Sequence, residues 1–377
     1  MKKIQMVDLI TQYEKIKPEI QPAIADIMDK AQFINGPAVH EFKESLAQYL
    51  SAKHVIPCAN GTDALQIAMM ALGLKPGDEV ITPSYTYIAT TEVVGLLRLK
   101  PVFVDCDDQT FNISPEAIEE AITPKTKAIV PVHLYGQACD MEKIMKIAEK
   151  HSLFVIEDNA QAIGSDYTFS DGTVKKTGTI GDIGCTSFFP SKNLGCYGDG
   201  GAICTNNDEL AAQIQMVANH GQSKRYYHDV VGVNSRLDTI QAAVLKAKLK
   251  RLDDYIDARR KAADFYDRAF SDVKEITTPY RDAKTKHVFH QYTLKLADNV
   301  DRDGMVEFLK EKDIPAMIYY PVPAHKQKMF SDLDTEVRDL TTTDWLTSRV
   351  ISLPMHTELE NEQLEYITSA VNDYIRS

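Results

Sequence analysis

From about residue 53 onward, short apolar runs ending in small or polar residues alternate with stretches of helical period. This is the pattern of βαβ units around a largely parallel sheet. The runs predict strands over His54–Pro57, Glu79–Thr82, Pro101–Val104, Ala128–Val132, Phe154–Glu157 and Cys185–Phe188. Between them, Ser114, Pro115 and Glu116 give a helix N-cap, a proline at the first helical position and an early carboxylate, and Asp140 caps a helix over Met141–Lys150. Beyond Arg236, the apolar positions Leu237, Ile240, Ala243, Val244, Leu252 and Ile256 predict one long helix reaching Phe265. It marks the passage from a large first domain, residues 1–250 with N-terminal helices, into a second, residues 251–377. There, strands over Val288–Leu296 and Ala316–Tyr320 and helices over Arg302–Lys312 and Glu360–Tyr374 predict a smaller α/β unit.

The composition, 44% hydrophobic and 25% charged over 377 residues, is that of a globular protein large enough for two domains. It excludes disordered and fibrous classes. A net charge of −12 without any dense basic block argues against nucleic-acid and anionic-membrane partners. The start, Met1 to Asp8, has no apolar core of a signal peptide, and no uncharged apolar stretch reaches spanning length, so a soluble cytoplasmic protein is expected. The six cysteines are scattered beside apolar residues and read as reduced core thiols. His287 and His290, three apart in a strand-like run, fall on opposite faces, so no metal site is expected.

In open α/β sheets ligands gather at the carboxyl ends of the strands. The polar groups that follow the predicted strands, Asn60 to Asp63, Ser84 to Tyr87, His133 to Gly136, Asp158 to Gln161 and the loop around Lys192, therefore share one rim. Lys192 stands among aromatic and small residues with no basic neighbour. An amine withdrawn from water loses its proton and can attack a carbonyl to form a Schiff base; the alternative is a loop lysine that snorkels to solvent. Asp158 ends a very apolar strand and needs a partner to stay ionised; a protonated pyridine nitrogen, as in pyridoxal phosphate, would serve, and helix capping is the alternative. Gln161, three residues on, can reach the phenolic oxygen of such a ring. Gly61 and Thr62 open a helix and make either a phosphate cup or an ordinary turn, with Ser187 offering a second hydroxyl. Tyr85 or Tyr87 can lie against a planar ring, or pack in the core.

The set Asn60-Gly61-Thr62-Asp63-Ala64-Leu65, Glu157-Asp158-Asn159-Ala160-Gln161, Ser187-Phe188-Phe189-Pro190-Ser191-Lys192-Asn193-Leu194 with Gly198-Asp199-Gly200-Gly201, and Asn234-Ser235-Arg236-Leu237-Asp238 resembles the DegT/DnrJ/StrS family of nucleotide-sugar aminotransferases, from Phe33 to Pro323. The resemblance implies an α/β fold type I transferase dependent on pyridoxal 5'-phosphate, aspartate aminotransferase-like, with a mostly parallel central sheet and a smaller C-terminal α/β domain. It implies that Lys192 forms the imine with the cofactor and shuttles the proton, and that Asp158 pairs with the pyridine nitrogen. It further implies that Tyr87 stacks on the ring, Gln161 meets its phenolic oxygen, and Gly61, Thr62 and Ser187 hold the phosphate. Asn234 would reach that phosphate from the other subunit, giving a homodimer with shared active sites. Retention of Lys192 argues against the family's sugar dehydratases, where histidine replaces it. The implied reaction takes an amino group from glutamate to a nucleotide-linked keto sugar. The Gly198-Asp199-Gly200-Gly201 context implies amination at carbon 3, with a UDP-2-acetamido-2-deoxy-3-keto-hexuronate as substrate in surface polysaccharide synthesis. Arg236 would meet the uronate carboxylate, with Tyr319, Tyr320 and His325 near the sugar. The alternatives are a dTDP-3-keto-6-deoxyhexose substrate, or a non-catalytic member that binds a nucleotide sugar or regulates.

Overall fold

In the computed structural model, which describes residues 2–377, the apolar runs of the first half form β1 (His54–Cys58), β2 (Glu79–Pro83), β3 (Lys100–Val104), β4 (Thr126–Ile129) and β5 (Phe154–Asp158). A hairpin of β6 (Asp166–Thr168) and β7 (Val174–Lys176) follows, then β8 (Ile183–Ser187), β9 (Gly201–Thr205) and a hairpin of β10 (Gln222–Lys224) and β11 (Tyr227–His228). The last strands are β12 (Ile276–Thr277), β13 (Tyr292–Leu296), β14 (Glu336–Val337) and β15 (Val350–Leu353). Eight strands make one sheet in the order β1-β9-β8-β5-β4-β2-β3-β14. Its pairs are parallel except those of β9, which runs antiparallel to both β1 and β8.

That one reversal builds the site. β8 ends and β9 begins on the same rim, so residues 188–200, with Lys192 among them, form a wide loop at the carboxyl ends of the parallel strands. The register aligns Cys58, Gly201 and Ser187 across β1, β9 and β8, and sets Asp158 opposite Cys185 on the next strand. The turn after β1, the end of β8 and Asp158 are thus brought together by backbone pairing.

Helices cover both faces. Gly61–Ala71 packs Ala64, Leu65 and Ala68 on Ile56, Ile156 and Ile183, while Phe42 and Leu46 of Pro37–Leu50 and Leu245 of Thr239–Leu249 pack with Val55 and Phe188. Each buried Leu, Ile or Phe stabilises the fold by about 1.5–3 kcal/mol. A separate core joins the antiparallel sheet β12-β13-β15 to the C-terminal helices through Tyr266, Phe270, Met305, Leu309 and Ile367. All six cysteines are buried and unpaired. Ser114 and Asp140 cap their helices, accepting from the amides of Ala117 and Lys143.

Four elements differ from expectation. The single helix through Leu237–Phe265 is two, Thr239–Leu249 and Leu252–Phe270, because Arg251 leaves helical geometry (φ −113°) and turns its guanidinium onto the Ala247 carbonyl (2.9 Å) and Glu19 (2.8 Å). β4 stops at Ile129, since Pro131 has no amide to continue the ladder; its carbonyl instead accepts from Asp158. The strand expected from Val288 begins only at Tyr292, because the amides of Val288 and His290 bond the carbonyls of Gly136 and Tyr135. Ala316–Tyr320 is not a strand: Met317 makes an isolated bridge to Ser352, and the Tyr319 carbonyl accepts from the hydroxyls of Tyr85 and Tyr135.

Candidate active site

The Lys192 loop is fixed from two sides. Asn193 Nδ2 donates to the Val288 carbonyl (2.9 Å), Gln241 exchanges hydrogen bonds with the Tyr197 backbone (2.8 and 3.2 Å), and Lys248 Nζ donates to the Gly195 carbonyl (2.7 Å). Burial lowers the Lys192 amine from the ordinary lysine value to about 8, against an opposing pull from Asp158. At pH 8 roughly half of such amines are neutral, where an ordinary lysine is neutral in less than about 1% of molecules.

Asp158 is buried, and Thr90 Oγ1 and the Ala160 amide donate to its two oxygens (2.8 and 3.1 Å). Burial raises its pKa; those hydrogen bonds and the nearby Lys192 and His133 oppose the rise. Its neighbour Glu157 accepts from the amides of Gly178, Ile180 and Gly181 (2.6–2.8 Å) and from His133 Nε2 (2.9 Å). His133 Nδ1 accepts from the Cys139 amide, so the ring's proton is on Nε2, where it serves Glu157. The strand end carrying Asp158 is therefore pinned through a carboxylate pointing away from the cavity.

Gln161 Oε1 accepts from the Tyr135 amide (2.8 Å), which fixes the amide's orientation, and Nε2 donates to the Tyr320 hydroxyl (3.0 Å). Nε2 keeps a second proton to donate. Tyr87 is 56% exposed and turned to the cavity, its ring centre 6.0 Å from that of Tyr320, whereas Tyr85 is buried and bonded to Tyr135. At the helix start, Asn60 accepts from the Asp63 amide, leaving those of Gly61 and Thr62 without a partner among the described residues. A side chain at Gly61 would come within 2.7 Å of Ser187 Cβ, so glycine is what lets this helix start meet the end of β8.

One cavity of about 660 Å³ collects these groups: Gly61, Thr62, Tyr87, Asp158, Gln161, Ser187, Lys192, Tyr319 and Tyr320 all line it. Three expected residues do not. Asn234 is exposed and Arg236 half-buried on the segment after β11, with Arg236 Nε buried and unpartnered. His325 lies outside the cavity wall, with Nδ1 bonded to Ser84 Oγ (2.7 Å) and its ring against Phe103. Thr86, Asp199, His290 and Gln291 also line the cavity. In the sequence His290 is weighed only as a metal ligand, which the strand reading argues against by setting it and His287 on opposite faces; nothing in the period of the Ala89–Leu96 helix marks Thr90.

An amine with lowered proton affinity, a buried carboxylate and an anion-accepting helix start in one cavity are the equipment of an imine-forming transferase. The chain belongs to the DegT/DnrJ/EryC1/StrS aminotransferase family, whose model matches residues 14–372, and its fold is that of a fold type I transferase. It is 46% identical to the UDP-2-acetamido-2-deoxy-3-oxo-D-glucuronate aminotransferase of Pseudomonas aeruginosa, over 98% of this chain and 100% of that protein. To the UDP-N-acetyl-3-dehydro-alpha-D-glucosamine 3-aminotransferase of Acidithiobacillus ferrooxidans it is 44% identical, over 98% and 97%. The crystal structure of a DegT/DnrJ/EryC1/StrS aminotransferase from Brucella abortus superposes with a TM-score of 0.93 at 40% identity, covering 99% and 100% of the two chains. That of NtdA from Bacillus subtilis, with the cofactor PMP bound, gives 0.87 at 32%, covering 99% and 83%. Among the described residues no helix is long and apolar enough to cross a membrane.

Proposed function

We propose that this chain is a pyridoxal 5'-phosphate-dependent aminotransferase that moves an amino group from glutamate to carbon 3 of a UDP-linked 2-acetamido-3-keto sugar, with the hexuronate as preferred substrate. The observation that carries this reading is the single cavity in which Lys192, Asp158 and the Gly61–Thr62 helix start meet. Relatives at 46% and 44% identity, both named for 3-oxo or 3-dehydro UDP sugars, support carbon 3 and the nucleotide.

The residues fit the cofactor. The free amides of Gly61 and Thr62, with the hydroxyls of Thr62 and Ser187, suit a phosphate. Asp158 is a buried carboxylate lacking a full cationic partner, which a protonated ring nitrogen supplies; Gln161 Nε2 has a proton for the phenolic oxygen and Tyr87 a face for the ring. When bound, the cofactor supplies an electron sink for charge developing beside the imine. Lys192 would hold the cofactor through its amine and, when free of it, would be the group that moves the proton at the reacting carbons. Asp158 would keep the ring nitrogen protonated, and the buried Gln161 with the half-buried Tyr320 would limit water at that face.

The cavity's own charged groups are mostly acidic, Asp63, Asp158 and Asp199, which suits a diphosphate poorly. Asn234, Arg236 and the exposed Lys224 and Arg225 of the β10–β11 hairpin lie off their own cavity, an arrangement that fits delivery to the site of a second copy in a homodimer. Arg236 would then meet the uronate carboxylate, with Tyr319 and Tyr320 near the sugar. Residues 1–250 would hold the cofactor and 251–377 form the smaller domain. Six reduced buried thiols suit the cytoplasm.

The test is colour and turnover. Protein with pyridoxal 5'-phosphate should absorb in the visible, bleach with glutamate and aminate the UDP-3-keto-uronate; Lys192→Ala should lose both the band and turnover. A colourless wild-type protein would falsify the cofactor reading, and preference for a dTDP-3-keto-6-deoxyhexose would overturn the substrate.

A further inference from the structure

The hydrogen-bond partner that the described residues give the Lys192 amine is His290, with Nε2 at 3.5 Å from Nζ. Gln291 Nε2 is the same distance from that ring nitrogen. Two nitrogen donors converging on Nε2 make it the acceptor and place the ring proton on Nδ1, which is buried and has no partner. The backbone here is clamped: the His290 amide donates to the Tyr135 carbonyl (2.8 Å), and the buried Arg259 guanidinium donates to the carbonyls of Phe289, His290 and Met355 (2.9–3.3 Å). A buried imidazole held on both sides of its backbone, with one nitrogen orphaned and the other at a reactive amine, is costly as packing alone.

We propose that His290 is a positioning residue: its neutral imidazole receives the Lys192 ammonium through Nε2 whenever that amine is not bonded to the cofactor, and so aims it into the cavity. This rests on the cofactor reading only for what Lys192 does next. The charged groups facing the pair are Asp158, toward Lys192, and Arg259, toward His290; Tyr319 and Tyr320 on the same cavity are kept neutral by burial. Burial, with the charges of Lys192 and Arg259, holds the imidazole well below its ordinary value and hence uncharged.

An acceptor for the ammonium favours the charged amine, so losing it should lower the Lys192 pKa. Glutamine reaches about as far as Nε2; asparagine falls one bond short and is no larger. In full-length cofactor-free protein, Lys192 can be labelled with trinitrobenzenesulfonate across a pH series and read by peptide mass spectrometry, with circular dichroism confirming the fold. His290→Gln should titrate like wild type, whereas His290→Asn should move the half-labelling point down by roughly one pH unit, about tenfold in proton affinity. Equal titration in both variants, whether at the wild-type value or shifted together, would overturn the proposal. Wild-type protein that labels as expected but never colours with pyridoxal 5'-phosphate would instead overturn the cofactor reading and leave this one standing.

Discussion

Lys192, half-buried on the cavity wall, and Lys248, fully buried, are both lowered to about 8 by desolvation, yet their surroundings differ in everything else. Lys248 is 1% exposed; its Nζ donates a hydrogen bond to the Gly195 carbonyl (2.7 Å) and sits 4.4 Å from the centre of the Tyr197 ring. Lys192 lines a cavity of about 660 Å³, with one long contact to His290 and a carboxylate nearby. Burial alone makes an amine less basic. It becomes a nucleophile only where a carbonyl can approach it. The two act in series, because the carbonyl held by Lys248 belongs to the loop that carries Lys192.

The comparison breaks most sharply at the carboxylate only one of the lysines has. Asp158→Asn leaves the shape but removes the charge paired with a ring nitrogen, and should cut turnover on the order of 10³-fold, about 4 kcal/mol of barrier, in a steady-state amination assay. If the Asp158→Asn variant kept near wild-type turnover, Asp158 would do no more than fix the turn through the Ala160 amide. Next comes the phosphate cup: Ser187→Ala, at the close contact with Gly61, should weaken cofactor retention by about tenfold in equilibrium dialysis, about one hydrogen bond to a charged group, with little change in turnover at saturation.

The smallest effect on chemistry should come from Lys248→Met, which should keep the visible band and change turnover only a few-fold. Its signature is in stability. The folded Lys248 has its pKa depressed to about 8, so between there and the ordinary 10.5 the unfolded chain binds more protons, and this group's contribution to stability rises with pH through that window. Urea unfolding at about pH 8 and about pH 10 should show wild type gaining about 2–3 kcal/mol more than Lys248→Met over the interval. No difference in slope would mean that Lys248 is more solvated than its packing indicates.

What the sequence made legible follows the same division. The rim residues of the parallel strands could be read because strand ends are marked by apolar runs giving way to Gly, Thr, Asp and Gln, and Lys192 stood out by the absence of other bases around it. Lys248 did not, since a lysine at helical period reads as a solvated position, and only the Gly195 carbonyl in the packed loop explains it. β9 was missed because Gly201-Ala202-Ile203-Cys204-Thr205 is short and glycine-led, yet its antiparallel placement sets Ser187 beside Gly61. The expected strands at Val288 and Ala316 failed where carbonyls and amides find partners in tertiary contacts that local pattern cannot record, the Tyr135 and Gly136 carbonyls in one case and the Tyr85 and Tyr135 hydroxyls in the other.

Borohydride reduction of the protein with pyridoxal 5'-phosphate, followed by peptide mapping, sets the two lysines against each other in one experiment. The account predicts a single phosphopyridoxyl adduct per chain, on the peptide containing Lys192, with Lys248 unmodified. An adduct on Lys248, on scattered surface lysines, or on none would contradict it.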